Sequence, residues 1–396
     1  MRDNISEGDV IKTAVWGPGS MGLIALRAVI DHPALELSGL VVHGDRKAGH
    51  DAGRLCGIPD IGIVATRDPA AVLTGDTEVV VYAAAANTRP AEAIEDMAAI
   101  LRAGKDVVSC SVVPLVFPAA VDDALAAPLR DACAQGGVSF FNTGIAPGFA
   151  MDVLPLTLSG LSRSIESIRI TELFNYGTYP DATAVYEVLG FGKPPEYQAF
   201  AAMPGVLSFG WGPVLDQLAA GLGVRISGLS EHIERRVTDE GFDTPTGRVE
   251  AGTIGAMRSI LTAHVGGSPR FVVDYVTRMH DDLAPDWPQP HISIPPRDFG
   301  CPGVSGRGLY RIEIDGSPAM RCELEMAENN DHDFGARVAG VSFMVNAIPA
   351  VRAAAPGLLS VLDLPPILGA GLVKPTPTPS PDIRRLGAFE IDTAHP

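Results

Sequence analysis

The stretch TAVWGPGSMGLIALRAVIDHPALELSGLVVHGDRKAG, Thr13 to Gly49, decides the fold. An apolar strand signal runs into a turn that holds Gly17, Gly19 and Gly22, and a helical pattern follows from about Ser20 to His32. A second apolar run, ELSGLVV, closes the unit. In this context the three glycines have separate roles. Gly17 permits the tight turn, Gly19 lets the backbone approach a pyrophosphate, and Gly22 lets helix and strand pack closely. The helix amino terminus adds partial positive charge that favours phosphate. The turn therefore reads as a dinucleotide cradle.

What the cradle holds depends on the next strand end. A site for NAD usually places an acid about 20 residues past the turn, on the ribose hydroxyls. Here that region reads Val42, His43, Gly44, and Asp45 comes late, followed at once by Arg46 and Lys47. Two cations at this place suit a 2′-phosphate. The expected cofactor is NADP, with NAD left possible by Asp45.

Working outward, IKTAVWG, ELSGLVV, TEVVVYAAAA, KDVVSCSVV and GVSFFNTG read as buried strands, with helical patterns between them up to about residue 148. Strands alternating with helices predict a parallel sheet of the Rossmann type. The linking segment NTRPAEAIEDMAAILRAGK carries Thr88 as a cap, Pro90 in the first turn, an apolar stripe of Ile94, Met97 and Leu101, and Gly104 as a stop. After residue 150 long alternating segments, among them SIRITELF and GLYRIEIDGSPAMRCELEM, predict a mainly antiparallel sheet. Gly266 with Gly267, and Asp315 with Gly316, stand where hairpin turns are expected. The fold class is α/β: a Rossmann-type domain followed by an α+β domain. The boundaries read as 10–150 for dinucleotide binding, 151–342 for substrate binding and dimerisation, 343–373 for a helical segment packing back on the first domain, and 374–396 for an extended proline-rich tail.

A formal charge of −17 with only 30 basic residues excludes the electrostatic footprint of a nucleic-acid binder. The first residues, MRDNISEGDVIK, lack the apolar run of a signal peptide, and the later apolar stretches are broken by Pro, Gly or charge, so no membrane association is expected. Five cysteines, odd in number and without a C-x-x-C pair, suggest neither a disulfide framework nor a zinc ribbon, and cytoplasmic residence fits them best.

Beyond the first unit, RKAGHDAG, NTGIAPGFAMDVLP, PDATAVYEVLGFG and VNAIPAVRAAAPGLLSVLDLP make the chain resemble the 2,4-diaminopentanoate dehydrogenase and native amine dehydrogenase family, whose amino domain is similar to that of dihydrodipicolinate reductase. The resemblance implies a homodimeric, NAD(P)-dependent oxidoreductase that interconverts ketones or aldehydes plus ammonia with primary amines. It assigns Gly17, Gly19, Ser20, Met21 and Gly22 to the pyrophosphate. Ala84, Ala85, Ala86 and Asn87 fall to the nicotinamide half, with Cys110 and Ser111 beside the nicotinamide ring.

Two departures stand beside the matches. Where the family carries a carboxylate this chain reads SCSVVPLVFP, and the family's Asn-Pro-Gly-Phe is Ala146, Pro147, Gly148, Phe149. Building a carbinolamine needs a positioned acid or base, worth roughly 100- to 10,000-fold. Reduction of a carbonyl or preformed imine is therefore expected to suit the site better than amination from free ammonia. A carbonyl reductase on the same scaffold, or a cofactor-binding protein without turnover, stands as an alternative.

The replacement acid–base group is sought in ELFNYGTYPDATAVYEVLGFG, which gathers Glu172, Asn175, Tyr176, Tyr179, Asp181, Tyr186 and Glu187. Tyr176, Tyr179 and Asp181 are the catalytic candidates, against the plainer reading of tyrosines that fill a wall and an aspartate that caps a helix. Val112, Val113, Leu115, Ala146 and Phe149 suggest a hydrophobic substrate pocket. No metal site is expected: EMAENNDHDFG and RMHDDLAPDW hold possible ligands but match no metal spacing, and they read as solvated loops, with His332 a possible substrate contact.

Overall fold

The computed structural model of the chain describes residues 10–86 and 89–373. It divides into two compact units, residues 1–144 with 340–396, and residues 145–339. Thr88, the expected helix cap, and the 374–396 tail lie outside the described residues.

In the first unit the chain runs β1 (Ile11–Trp16), α1 (Ser20–Asp31), β2 (Leu35–Val41), α2 (Ala52–Leu55), α3 (Ala70–Thr74), β3 (Val79–Tyr82), α4 (Pro90–Arg102), β4 (Asp106–Ser109), α5 (Asp123–Gly136) and β5 (Ser139–Asn142). The strands pair in parallel. β3, VVVY, is buried at every position, the mark of a strand covered on both faces. Gly22, Ile24, Ala25, Leu26 and Val29 form the buried stripe of α1. The sheet order is β14-β5-β4-β3-β1-β2, where β14 is Gly357–Leu359. After β1 the chain builds to one side with β2 and then crosses to the other with β3. The carboxyl ends of β1 and β3 therefore flank the switch point, where an open parallel sheet binds its ligands.

The second unit holds α6 (Val153–Ser159), β6 (Ser164–Asn175), α7 (Val206–Gly221), β7 (Gly228–Val237), β8 (Phe242–Thr244), β9 (Gly247–Val249), β10 (Ile254–Val265), β11 (Ser268–Arg278), β12 (Gly308–Ser317) and β13 (Met320–Glu325), and α8 (His332–Asn346) begins in it. Its large sheet runs β13-β12-β6-β11-β10-β7, and of its neighbours only β11 and β6 are parallel. One face carries the cluster of Leu173, Val276, Leu309 and Trp287. The loop tryptophan thus covers apolar surface, with the Arg236 guanidinium 4.8 Å from its ring centre. The other face carries Phe174, Tyr310, Ala150 and Ala336.

The expected hairpin at Gly266–Gly267 joins β10 to β11, with φ of +58° and +82°. The second expected hairpin joins β12 to β13, which pair antiparallel from Leu309 opposite Glu325 to Ile314 opposite Met320, with residues 315–319 between them. On its other side β12 continues along β6 to Ser317, with a register shift between Asp315 and Gly316. A Cβ on Gly316 would lie 2.0 Å from the Ser164 carbonyl oxygen, so this glycine also serves a close approach of β12 to β6.

The late apolar segment is helical through α8 and α9 (Ile348–Ala353), then extends as β14, parallel to β5. Arg352 of α9 donates to Asp106 at 3.1 Å, and Asp106 also accepts from the Ser139 N–H, which ties this segment to the sheet. His332–Ala353 is long and apolar enough to cross a membrane by length and composition, yet 56% of its most apolar window is buried inside the protein, as in a core helix.

Candidate functional site

The glycine turn ends β1 beside the end of β3. A Cβ on Gly17, whose φ is +83°, would lie 2.5 Å from Ala84 Cα, and one on Gly22 would lie 2.2 Å from the Gly17 carbonyl oxygen. Neither position has room for a side chain. Gly19 differs: a Cβ there meets nothing within 4 Å, because it borders open space. No side chain caps α1 at Gly19, and Gly17, Pro18 and Gly19, which lead into that helix, border the space.

The space is a cleft of about 340 Å³. Gly17, Pro18, Gly19, Ala84 and Ala85 line its floor, and Val42, His43 and Gly44 line the wall after β2. Three cations, Arg46, Lys47 and Arg89, complete the lining. No carboxylate lines it among the described residues. Asp45 is turned away and pairs with Arg67 at 2.5 Å. Lys47 is held by the Pro18 carbonyl, and burial first, then the charge of Arg46, lower its pKa. Cations crowded together without an acid make a place that an anion would relieve.

Of the residues expected here, Ser20, Met21, Gly22, Ala86, Cys110 and Ser111 do not line the cleft, and Asn87 lies outside the described residues. Gly22 and Ala86 are buried behind it. Ser111 donates to the Tyr82 carbonyl at 3.3 Å. Burial pushes the Cys110 thiol up to about 11, so it carries almost no thiolate at neutral pH. Sequence reading missed Arg89. Its signal was position, a cation immediately before the Pro90 that opens α4.

The second unit holds a buried polar cluster on one rung of its sheet. Strand register aligns Tyr275 of β11, Glu172 of β6 and Tyr310 of β12. Partners in register project to the same face. The Tyr176 hydroxyl donates to Glu172 Oε1 at 2.9 Å and is hydrogen-bonded to the Tyr275 hydroxyl. Glu172 is 3% exposed, and its Oε2 has no hydrogen-bond partner. Burial pushes its carboxyl up to about 8; the Tyr176, Tyr275 and Tyr310 hydroxyls pull it down, while the Asp333 charge adds to the rise. Tyr179 stacks on Tyr176 with ring centres 5.0 Å apart, and burial raises its hydroxyl to about 12.

Of the three catalytic candidates, Tyr176 sits inside this cluster and Tyr179 on its wall. Asp181 accepts from the Ala184 N–H at 3.0 Å, the contact of a cap on the π-helical turn Thr183–Val188. Tyr186 bonds the Thr246 hydroxyl at 3.1 Å. Leu115, expected on a pocket wall, belongs to the core beneath the first sheet.

The acidic stretch at α8 is not a solvated loop. Asp331, His332 and Asp333 are buried. His332 Nε2 lies 3.0 Å from Glu325 Oε1, while Asp333 pairs with Arg337 at 3.0 Å. In the other acidic stretch, Asp281 accepts from Asn175 Nδ2 at 2.7 Å. Among the described residues no His, Cys, Asp and Glu cluster is arranged to hold a metal.

Glycine cradle, open helix end and switch-point cleft define the first unit as a dinucleotide-binding domain of an oxidoreductase. The family model described as dihydrodipicolinate reductase, N-terminus, matches residues 11–112. The chain is 38% identical to an amine dehydrogenase of Streptomyces virginiae over 359 residues, 90% of this chain and 96% of that one. It is 25% identical over 372 residues to the 2,4-diaminopentanoate dehydrogenase of Acetoanaerobium sticklandii, covering 90% and 93%. The solved amine dehydrogenase of Mycobacterium smegmatis shares the fold, with a TM-score of 0.71 at 20% identity over 90% of this chain and 97% of that one. The chain belongs to the amine dehydrogenase family and is an NAD(P)-dependent oxidoreductase of that type.

Proposed function

We propose that the protein is an NADP-preferring amine dehydrogenase that interconverts a hydrophobic ketone or aldehyde plus ammonium with a primary amine. The carrying observation is the cleft of Arg46, Lys47 and Arg89, which lacks a carboxylate, beside the glycine cradle of a chain 38% identical to an amine dehydrogenase. NADP fits these residues: the backbone at Gly17 and Gly19 would hold the pyrophosphate, and Arg46, Lys47 and Arg89 would hold the 2′-phosphate. Bound there, the cofactor supplies or accepts the hydride. Ala84 to Asn87, Cys110 and Ser111 are assigned to its nicotinamide half. Tyr176 and Tyr179 are assigned to the substrate site, and Asp181 to fixing the segment that follows them.

Residues 10–150 take the cofactor, 151–342 bind substrate and form a homodimer, and 343–373 complete the first domain. The dimer reading rests on the family resemblance and on the size of the six-stranded second sheet. Light scattering is expected to give a dimer at micromolar concentration, and a monomer refutes it. Five free cysteines agree with a reducing cytoplasm.

The second reading, a carbonyl or preformed-imine reductase, is favoured by the absence of an acid from Cys110 to Pro118. One screen separates the two. NADPH oxidation with a series of ketones is followed with and without ammonium, alongside cyclic imines. Ammonium-dependent oxidation that yields a primary amine supports the first reading. Ammonium-independent alcohol formation, or turnover of preformed imines alone, supports the second.

A further inference from the structure

We infer that Glu172, held in a cage of tyrosines, is the carboxyl group that binds the substrate nitrogen and exchanges its proton, in place of the family carboxylate missing after β4. The inference rests on the amine reading above and names a catalytic residue for it.

Three independent features meet at this side chain. Strand register sets Tyr275, Glu172 and Tyr310 side by side on one rung, so the carboxyl is fixed by the sheet and not by a loop. Tyr176 donates to Oε1 at 2.9 Å, whereas Oε2 is buried without a partner. A buried acceptor left unpaired is costly, and such groups mark places of strain, catalysis, or a bound water or ion. No cation pairs with Glu172 among the described residues; Arg337, the nearby guanidinium of α8, is engaged by Asp333 at 3.0 Å. A substrate nitrogen brought from outside would supply a charged donor for Oε2 beside the tyrosine hydroxyls.

The walls suit such a nitrogen. Tyr275 meets Tyr176 edge-on, with centres 6.1 Å apart, and Trp211 lies 5.7 Å from Tyr275. Aromatic rings around a desolvated carboxylate favour an organic cation such as a primary ammonium or an iminium. The groups that bear on the proton of Glu172 are Tyr176 and Tyr179 from the turn after β6, Tyr275 of β11, Tyr310 of β12, and Asp333 of α8. Together they poise its carboxyl at about 8, near the pH at which a group can both give and take a proton.

The chemistry then balances. An incoming ammonium gives one proton to the Glu172 carboxylate, and the ammonia so formed bonds its nitrogen to the carbonyl carbon, with a proton moving to the oxygen to give the carbinolamine. The Glu172 acid protonates that hydroxyl, the C–O bond breaks, water leaves, and the nitrogen lone pair forms the C=N bond of an iminium. The regenerated carboxylate pairs with this cation, so the charged nitrogen is held at Glu172. Tyr176 acts as a positioning residue, because its hydrogen bond holds Oε1 and stabilises the charged form.

The test uses Glu172→Gln and Tyr176→Phe in the full chain, with butanone plus ammonium, with the preformed cyclic imine 1-pyrroline, and with butan-2-amine as a binding probe followed by calorimetry. Glu172→Gln is expected to lower kcat for butanone plus ammonium by 100-fold or more, to lower 1-pyrroline reduction far less, and to abolish butan-2-amine binding while NADPH binding is kept. Tyr176→Phe is expected to move the alkaline limb of the kcat profile to higher pH, a shift that a merely structural role would not produce. Amination by Glu172→Gln within threefold of wild type, or unchanged amine binding, overturns the inference. Wild-type protein that reduces butanone without ammonium and never aminates it overturns the amine reading instead, and butan-2-amine binding lost in Glu172→Gln would still support the nitrogen site.

Discussion

Replacing Glu172 by Gln keeps its shape and its acceptor for the Tyr176 hydroxyl but removes its titration, and the consequence for stability follows from the burial of this one group. The carboxyl is raised in the folded protein from 4.5 to about 8. Between those values the folded chain keeps a proton that the unfolded chain has lost. Unfolded chains thus bind fewer protons, and wild-type stability falls as pH rises through this window. At about 1.36 kcal/mol per unit, the loss reaches at most roughly 5 kcal/mol and is complete above about pH 8. Glu172→Gln escapes it. The two proteins are expected to differ little at pH 5, with the variant gaining several kcal/mol at pH 9. Urea unfolding without cofactor, followed by tryptophan fluorescence, reads this, since Trp211 lies 5.7 Å from Tyr275 in the same cluster. A gain of about 2 kcal/mol moves a midpoint by roughly 1 M at a slope of about 2 kcal/mol/M. Parallel stability profiles for the two proteins between pH 5 and 9, or a variant weaker at pH 9 than at pH 5 relative to wild type, would refute the burial argument.

Arg46→Ala and Arg89→Ala are each expected to weaken NADPH severalfold in a fluorescence titration at moderate salt, since an exposed charge contact contributes about 1 kcal/mol, and to leave NADH unchanged. Equal loss for both cofactors would place neither arginine on the 2′-phosphate. Gly22→Ala and Gly19→Ala should separate packing from binding. The first drives a Cβ to 2.2 Å from the Gly17 carbonyl and is expected to lower Tm and abolish cofactor binding; the second meets nothing within 4 Å and should keep Tm while weakening the dinucleotide. Similar Tm losses in both would contradict the open space at Gly19.

The sequence by itself determined the parts of this protein that local chemistry writes down. A glycine turn between an apolar strand and an amphipathic helix has few other uses, so the dinucleotide cradle was legible at Gly17, Gly19 and Gly22. Buried parallel strands such as VVVY announce themselves as unbroken apolar runs, and a missing acid at Val42–Gly44 is visible by simple inspection.

Tertiary structure decided what depends on residues far apart in the chain. Arg89 reaches the cleft only because the β3 end lies beside the β1 turn. Gly316 reads as part of a hairpin connection, and only β6 brought against it adds the close approach to the Ser164 carbonyl. Asp331 to Asp333 read as a solvated acidic loop, yet they are buried at the start of α8, a placement that hydropathy alone cannot yield. The largest difference lies at Glu172. From the sequence it was one of several polar residues in a segment, with Tyr176, Tyr179 and Asp181 preferred to it. Three strands far apart in the chain had to pair in one register before Tyr275 and Tyr310 flanked that carboxyl. Burial then raised its pKa, because a charge removed from water is stabilised only by the partners the fold supplies.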